Sequence, residues 1–225
     1  MAELQFYDQL MKFRLFQGMS RSELLQLAGQ TKFGFVKLAA GKSVVRAGDT
    51  CRQLWLLVGG QVQLTTESDD HGYAFVEEVG APWLLQPEVL FGATTRYVCS
   101  VQTLTDCHFI TLAKDEVTRL LSDFLIFRLN YMNLLSTQAQ RREHRSWRRA
   151  PRSLRERIIG FLLDHSTYPA GHKTVRILMT RLAQEVNESR LNVSRELNQM
   201  HSEQLLVLRR GQIEVPSLEQ LLMKA

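Results

Sequence analysis

The chain lacks what a metal-cluster protein or a membrane protein needs. Its three cysteines, Cys51, Cys99 and Cys107, are scattered, and no two form a C-x-x-C pair. That spacing argues against a zinc or four-thiolate iron–sulfur framework. No stretch approaches the roughly 18 uninterrupted apolar residues of a membrane span. The first 17 residues mix charges and aromatics at helical spacing and lack the basic start, apolar run and cleavage site of a secretory signal. These absences place the protein in the cytoplasm, without a membrane partner. Histidine is also sparse: between 33 and 112 only His71 and His108 occur. A metal enzyme built in a β-barrel needs two or three histidines and a carboxylate. No Ser/His/Asp or Cys/His arrangement stands out, so the expectation is a protein that is not an enzyme and holds no metal site.

What is present is an ordinary globular composition with an uneven charge. Hydrophobic residues make up 44% and charged residues 23% of 225. Of 28 basic and 23 acidic residues, 16 and 9 lie from Arg141 onward. The C-terminal part therefore carries the whole positive excess, which is the footprint of a polyanion partner.

Periodicity divides the chain. Phe6, Leu10 and Phe13, then Leu24, Leu25 and Leu27, recur at helical steps, and Ser20 with Glu23 forms a capping box. From Phe33 to Leu112 short β-rich runs alternate with turn signals such as Gly41-Lys42, Gly48-Asp49 and Gly59-Gly60, which argues for a roll or sandwich. Helix returns at Lys114, and one long helix is expected from Phe124 to about Arg149. Along it Leu125, Leu129, Met132, Ser136 and Ala139 step by four and three, a coiled-coil seam that would pair with a second copy. Phe127, Tyr131, Leu134 and Leu135 widen the apolar surface toward the chain's own strands. The helix ends in the basic run Arg141–Arg149. Pro151 stops it, and Ser153 with Glu156 reads as a second capping box. The expected domains are 1–113, a β-roll with N-terminal helices; 114–150, a long helix that would pair with a second copy; and 151–225, a C-terminal domain.

The densest signal lies between Leu182 and Leu197. Leu182, Ala183 and Val186 give one apolar face; after a turn at Asn187-Glu188, Val193, Leu197 and Met200 give the other. That pattern packs two short helices as a helix-turn-helix. Ser189 is positioned to cap the second helix, whose outward residues are Arg190, Leu191, Asn192, Ser194 and Arg195. Guanidinium forks suit guanine edges, an amide suits adenine, and a helix N-terminus suits phosphate. A hairpin follows, tipped by Arg209-Arg210-Gly211, as a wing for backbone phosphates.

These residues resemble the CRP/FNR family of transcription regulators over nearly the whole chain. The N-terminal match runs through Leu15-Phe16, Leu24-Leu25, Gly41, Gly48-Asp49 and Gly60-Gln61-Val62. The middle match is Leu90-Phe91-Gly92, Arg96-Tyr97, Ser100-Val101 and Leu104–Cys107. The C-terminal match is Leu182-Ala183, Ser189-Arg190, Val193-Ser194-Arg195, Leu197, Arg210-Gly211 and Ile213. The resemblance implies an α+β bacterial protein: an N-terminal double-stranded, jelly-roll-like β-roll, a long dimerisation helix and a C-terminal winged helix-turn-helix. It also implies a homodimer on a palindromic double-stranded DNA operator, with RNA polymerase as a further partner. The base-reading arginines fall on Arg190 and Arg195. Leu191 replaces the family's usual acid, Asn187 its turn glycine and Gln204 the glycine before the wing.

The resemblance also implies a small-molecule effector in the roll, for which Trp83, Glu88, Arg96 and Tyr97 are candidate pocket residues. The cyclic-nucleotide cassette is not kept. Leu84-Leu85 stands near the place of the Gly-Glu pair, and the cassette arginine's position falls on Tyr97, with Arg96 adjacent. A cyclic phosphate needs a cation and oriented amides, so the reading is against cyclic AMP. The iron–sulfur form of the family is excluded by the cysteines. Haem stays open, with His71, His108 and Cys51 as axial ligands by residue type only. The alternatives are a haem- or redox-sensing member of the family and a dimeric DNA-binding protein that needs no ligand.

Overall fold

The structure is a computed structural model that describes residues 2–147, 149–168 and 170–223, and for residues 2–5, 145 and 146 the backbone alone. Arg148 of the basic run and Pro169 of the following loop lie outside the described residues. In chain order the elements are α1 (Ala2–Leu10), α2 (Arg21–Gln30), β1 (Phe33–Leu38), β2 (Ser43–Val45), β3 (Gln53–Gly59), β4 (Gln61–Glu67), β5 (Tyr73–Gly80), β6 (Trp83–Leu85), β7 (Ser100–Thr103) and β8 (Cys107–Ala113). Then come α3 (Lys114–Asp123), α4 (Leu125–Ser146), α5 (Leu154–Asp164), β9 (Lys173–Ile177), α6 (Met179–Glu185), α7 (Arg190–Ser202), β10 (Val207–Arg209), β11 (Gln212–Val215) and α8 (Leu218–Met223). Contacts group the chain into two compact units: Met1–Val62, Val79–Val98 and Gln102–Trp147 in the first; Gln63–Glu78, Cys99–Val101 and Arg148–Ala225 in the second.

In the first unit an antiparallel sheet runs in the order β1-β8-β3-β6. Leu54, Leu56, Phe109 and Leu112 are buried on it. Gly60 closes the tight turn after β3 with φ of 96°, and a Cβ there would stand 2.5 Å from the Asp106 carbonyl oxygen, so only glycine fits. The Ser20–Glu23 capping box forms as expected. Helix α4 buries Phe127 and Tyr131, with the Phe127 ring 5.4 Å from Phe16. Asn130 donates to the carbonyls of Leu15 and Gln17 and fixes the helix against the N-terminal segment. Leu125, Leu129, Met132, Ser136 and Ala139 all face solvent on this single chain. The two faces foreseen for this helix are thus separate.

In the second unit, β10-β11-β9-β5-β4 are successive neighbours. Strand β5 pairs antiparallel with β9 from Tyr73↔Ile177 to Glu77↔Lys173. Phe75 packs into the core of this unit with Ile158, Phe161, Val175, Leu197 and Ile213. The Tyr73 hydroxyl lies 2.9 Å from His165 Nε2. Glu77 and Lys173 form an ion pair at 2.8 Å with side chains only 1% and 3% exposed. The remaining capacity of the Glu77 carboxylate accepts from the backbone amides of Thr167 and Tyr168.

The structure differs from the sequence expectation in several places. The second capping box is half formed: the Ser153 hydroxyl accepts from the Glu156 amide, but Glu156 turns back to the Arg152 amide and to Arg149. The carboxylate prefers a cation and a free amide one residue earlier. The strand expected from Tyr97 begins only at Ser100. Strand β6, the turn Pro87–Val89 and helix α8 are additions. Among the described residues no helix is long and apolar enough to cross a membrane.

Candidate nucleic-acid interface and effector region

Helix α6 buries Leu182 and Ala183; after the turn, α7 buries Val193, Leu197 and Met200 completely. Asn187 takes the left-handed conformation at φ of 49°, which asparagine tolerates better than most residues. Ser189 caps α7, its hydroxyl accepting the Asn192 amide at 3.1 Å. The Glu188 carboxylate then gathers the Ser189 amide at 2.9 Å, the Asn192 side chain at 3.0 Å and the Arg157 guanidinium at 2.8 Å. Those three donors, the backbone amide first, hold its pKa down to about 2. Arg157 also donates to the carbonyls of Val186 and Asn187. The turn is thus locked from below by one arginine on α5.

Arg190, Leu191, Asn192 and Arg195 are exposed on α7, and Ser194 is half-buried. The Asn192 amide is engaged by Glu188, whereas Arg190 and Arg195 make no ion pair with another described residue. After α7, Gln204 takes φ of 60°, and Leu205 donates to the Met200 carbonyl across it. This is the helix-ending geometry that usually selects glycine. The wing β10–β11 turns at Gly211. At its tip Arg210 is exposed, while Arg209 pairs with Glu214 at 2.6 Å.

Two arginines of the C-terminal basic excess are engaged by carboxylates of the fold itself. Arg155 forks onto Glu203 and also reaches Glu196 at 2.6 Å, joining α5 to α7. Those carboxylates raise its pKa still further. Arg157 holds the helix turn. Their acidic partners lie 31 to 48 residues away, so no local spacing announces them.

The effector candidates have different surroundings. Trp83 is buried on β6 opposite Leu57. Tyr97 is buried, its hydroxyl 3.5 Å from the Gln53 carbonyl, and burial pushes its pKa up. Arg96 is exposed and donates to the Gly48 carbonyl at 2.7 Å. Glu88 is partly buried; one carboxylate oxygen lies 3.7 Å from Arg142 and the other is buried with no partner among the described residues. Tyr131, not singled out as a pocket residue in the sequence, sits beside Glu88 and donates its hydroxyl to the Pro87 carbonyl at 2.7 Å. Of the axial-ligand candidates, His71 lies in an exposed turn against Glu67, His108 is exposed and Cys51 is buried.

Comparison with known proteins places both halves. Residues 35–124 match the family described as Cyclic nucleotide-binding domain, and residues 156–223 match the Crp-like helix-turn-helix domain. The catabolite activator protein of Thermus thermophilus is 20% identical with a TM-score of 0.51, covering 93% of this chain and 96% of that one. The c-di-GMP responsive global regulator CLP of Xanthomonas campestris is 20% identical with a TM-score of 0.51, over 87% of this chain and 99% of its own. The sensor domain of the transcriptional regulator DNR from Pseudomonas aeruginosa is 20% identical with a TM-score of 0.53, over 68% of this chain and 99% of that one. No curated protein matches the chain in sequence.

Proposed function

Because the chain belongs to the CRP/FNR family of transcription regulators, with a cyclic-nucleotide-binding-type domain followed by a Crp-like helix-turn-helix, we propose that it acts as a homodimer on palindromic double-stranded DNA. The observation that carries this reading is the Ser189-capped helix α7, whose outward Arg190 and Arg195 have no ionic partner among the described residues. Arg190 and Arg195 are assigned to base edges, Leu191 to an apolar contact, and Ser189, Asn192 and Ser194 to phosphates or bases near the helix N-terminus. Arg210 is assigned to a phosphate; Arg209 follows only if it leaves Glu214. The exposed stripe Leu125, Leu129, Met132, Ser136 and Ala139 is assigned to the partner's α4, a seam of knobs and holes. On this reading residues up to 113 sense, 114–150 dimerise and 151–225 bind DNA. The protein works in the cytoplasm with RNA polymerase as a further partner, and it is not an enzyme.

The effector is assigned to the region of Trp83, Glu88, Arg96 and Tyr97, and it is not a cyclic nucleotide. Arg96 is committed to Gly48, while Glu88 leaves a buried acceptor without a donor among the described residues. A phosphate needs the reverse, donors without acceptors. The test is fluorescence anisotropy against genomic promoter fragments at several salt concentrations. Arg190→Ala and Arg195→Ala each cost about 1–3 kcal/mol on the best fragment and relax its sequence preference. If both variants bind that fragment like the wild type, the assignment of α7 is wrong.

A further inference from the structure

A cavity on the first unit lies apart from the residues assigned above. An open groove of about 890 Å3 lies between α1, α2 and β1, lined by Phe6, Leu25, Thr31, Lys32, Phe33 and Phe35 among others. That volume is in the range of small-molecule sites. Three features give it a chemistry. The first is an aromatic corner: the Phe6 ring lies 5.0 Å from Phe33 and 5.7 Å from Phe35, both edge-on. Phe35 is nevertheless 68% exposed and Leu25 45% exposed, so much of this apolar surface faces water.

The second feature is a polar orphan. Thr31 is only 8% exposed, yet its hydroxyl has no hydrogen-bond partner among the described residues. Buried hydroxyls are ordinarily satisfied. The third is an unbalanced charge. Lys32 lines the groove and its ammonium makes no ion pair with another described residue. The nearby acid, Glu116, is already taken by Arg119 and by the backbone amide of Lys32 itself.

An apolar corner beside a hydroxyl donor and a cation with no ionic partner among the described residues complements one kind of molecule. We propose that this groove binds a small aromatic carboxylate, its ring against Phe33 and Phe35 and its acid group toward Thr31 and Lys32. The site shares no residue with the effector region and does not depend on DNA binding.

The test is calorimetric titration of the full chain with 2-naphthoate and with its neutral analogue 2-naphthamide. The acid binds about 3- to 5-fold tighter than the amide, the margin of a partly screened ion pair. Lys32→Gln removes that margin, leaving amide binding unchanged. Thr31→Val weakens the acid. Phe35→Ala, at an exposed position that folding tolerates, weakens both ligands. The proposal is overturned by equal affinity for the two ligands, by no binding of either, or by binding that ignores Phe35→Ala. A response instead to Glu88→Gln would place the ligand in the effector region and also overturn it.

Discussion

Replacing Lys173 with methionine keeps the length and removes the charge, leaving the Glu77 carboxylate almost wholly buried. In the native protein the pair meets at 2.8 Å with 3% and 1% of the side chains exposed. Glu77 keeps the amides of Thr167 and Tyr168 in the variant, but amides do not neutralise a buried charge. Breaking such a pair from one side costs about 3–5 kcal/mol. At about 2–4 °C per kcal/mol for a chain of this size, the melting temperature of the affected transition falls by about 10 °C. The second variant separates charge from packing. Lys173→Met combined with Glu77→Gln leaves no buried charge, and the glutamine carbonyl still accepts an amide. That double variant should recover more than half of the loss. The assay is urea denaturation followed by circular dichroism, with calorimetry as a check. A loss below about 1 kcal/mol for Lys173→Met would refute the reasoning. No recovery in the double variant would also refute it, because the cost would then be one of shape.

Two further outcomes follow from local geometry. Glu188 has a pKa of about 2 in the folded protein against an ordinary 4.5, so its contribution is present above about pH 4.5 and lost as pH falls toward 2. Urea titrations of the wild type and Glu188→Gln should therefore differ most near pH 6 and converge near pH 2; a constant gap would show that ionisation is not the cause. Gln204 is held at φ of 60°, where a β-carbon costs about 1 kcal/mol. Gln204→Gly should stabilise the protein by about 0.5–1 kcal/mol in the same assay, and a loss of stability would mean that the glutamine side chain makes compensating contacts.

The fold was legible wherever a local rule acts. The Ser20 and Ser189 caps, the left-handed Asn187 and the alternation of Leu182, Ala183 and Val186 with Val193, Leu197 and Met200 are settled by a few neighbouring residues, and the sequence shows them. The two faces of α4 were legible for the same reason, since one helical period carries both stripes. What stayed hidden depends on distant partners. Nothing beside Glu77 announces that it will be buried against Lys173, and nothing beside Trp83 announces a strand, because Leu57 supplies the pairing. Glu156 shows how a local rule fails: Arg149 and the Arg152 amide outcompete the amide that a capping box assigns to it. The exposed residues of α7 proposed to face DNA were legible as a pattern. The partner of Arg96 was not, because residue type does not reveal that it turns to Gly48.

The basic excess of the C-terminal part divides on the same principle. Arg155, Arg157, Arg181 and Lys173 are spent on carboxylates within their own unit. Their charge stabilises the fold and is largely cancelled before any polyanion arrives. Arg190, Arg195 and Arg210 are exposed and make no ion pair with another described residue. A count of charge therefore overstates the DNA-facing potential, and position matters more than number. The two sets are separable by measurement. Arg155→Lys cannot reproduce the fork onto Glu203 together with the bond to Glu196, so it should cost about 1–3 kcal/mol of stability. Its effect on the salt dependence of DNA binding should be slight. Arg210→Ala should leave the melting temperature unchanged and reduce the slope of log affinity against log salt by about one. Should Arg155→Lys instead flatten the salt slope without lowering stability, the division between structural and DNA-facing arginines would be wrong, and the clamp on α7 would belong to the interface.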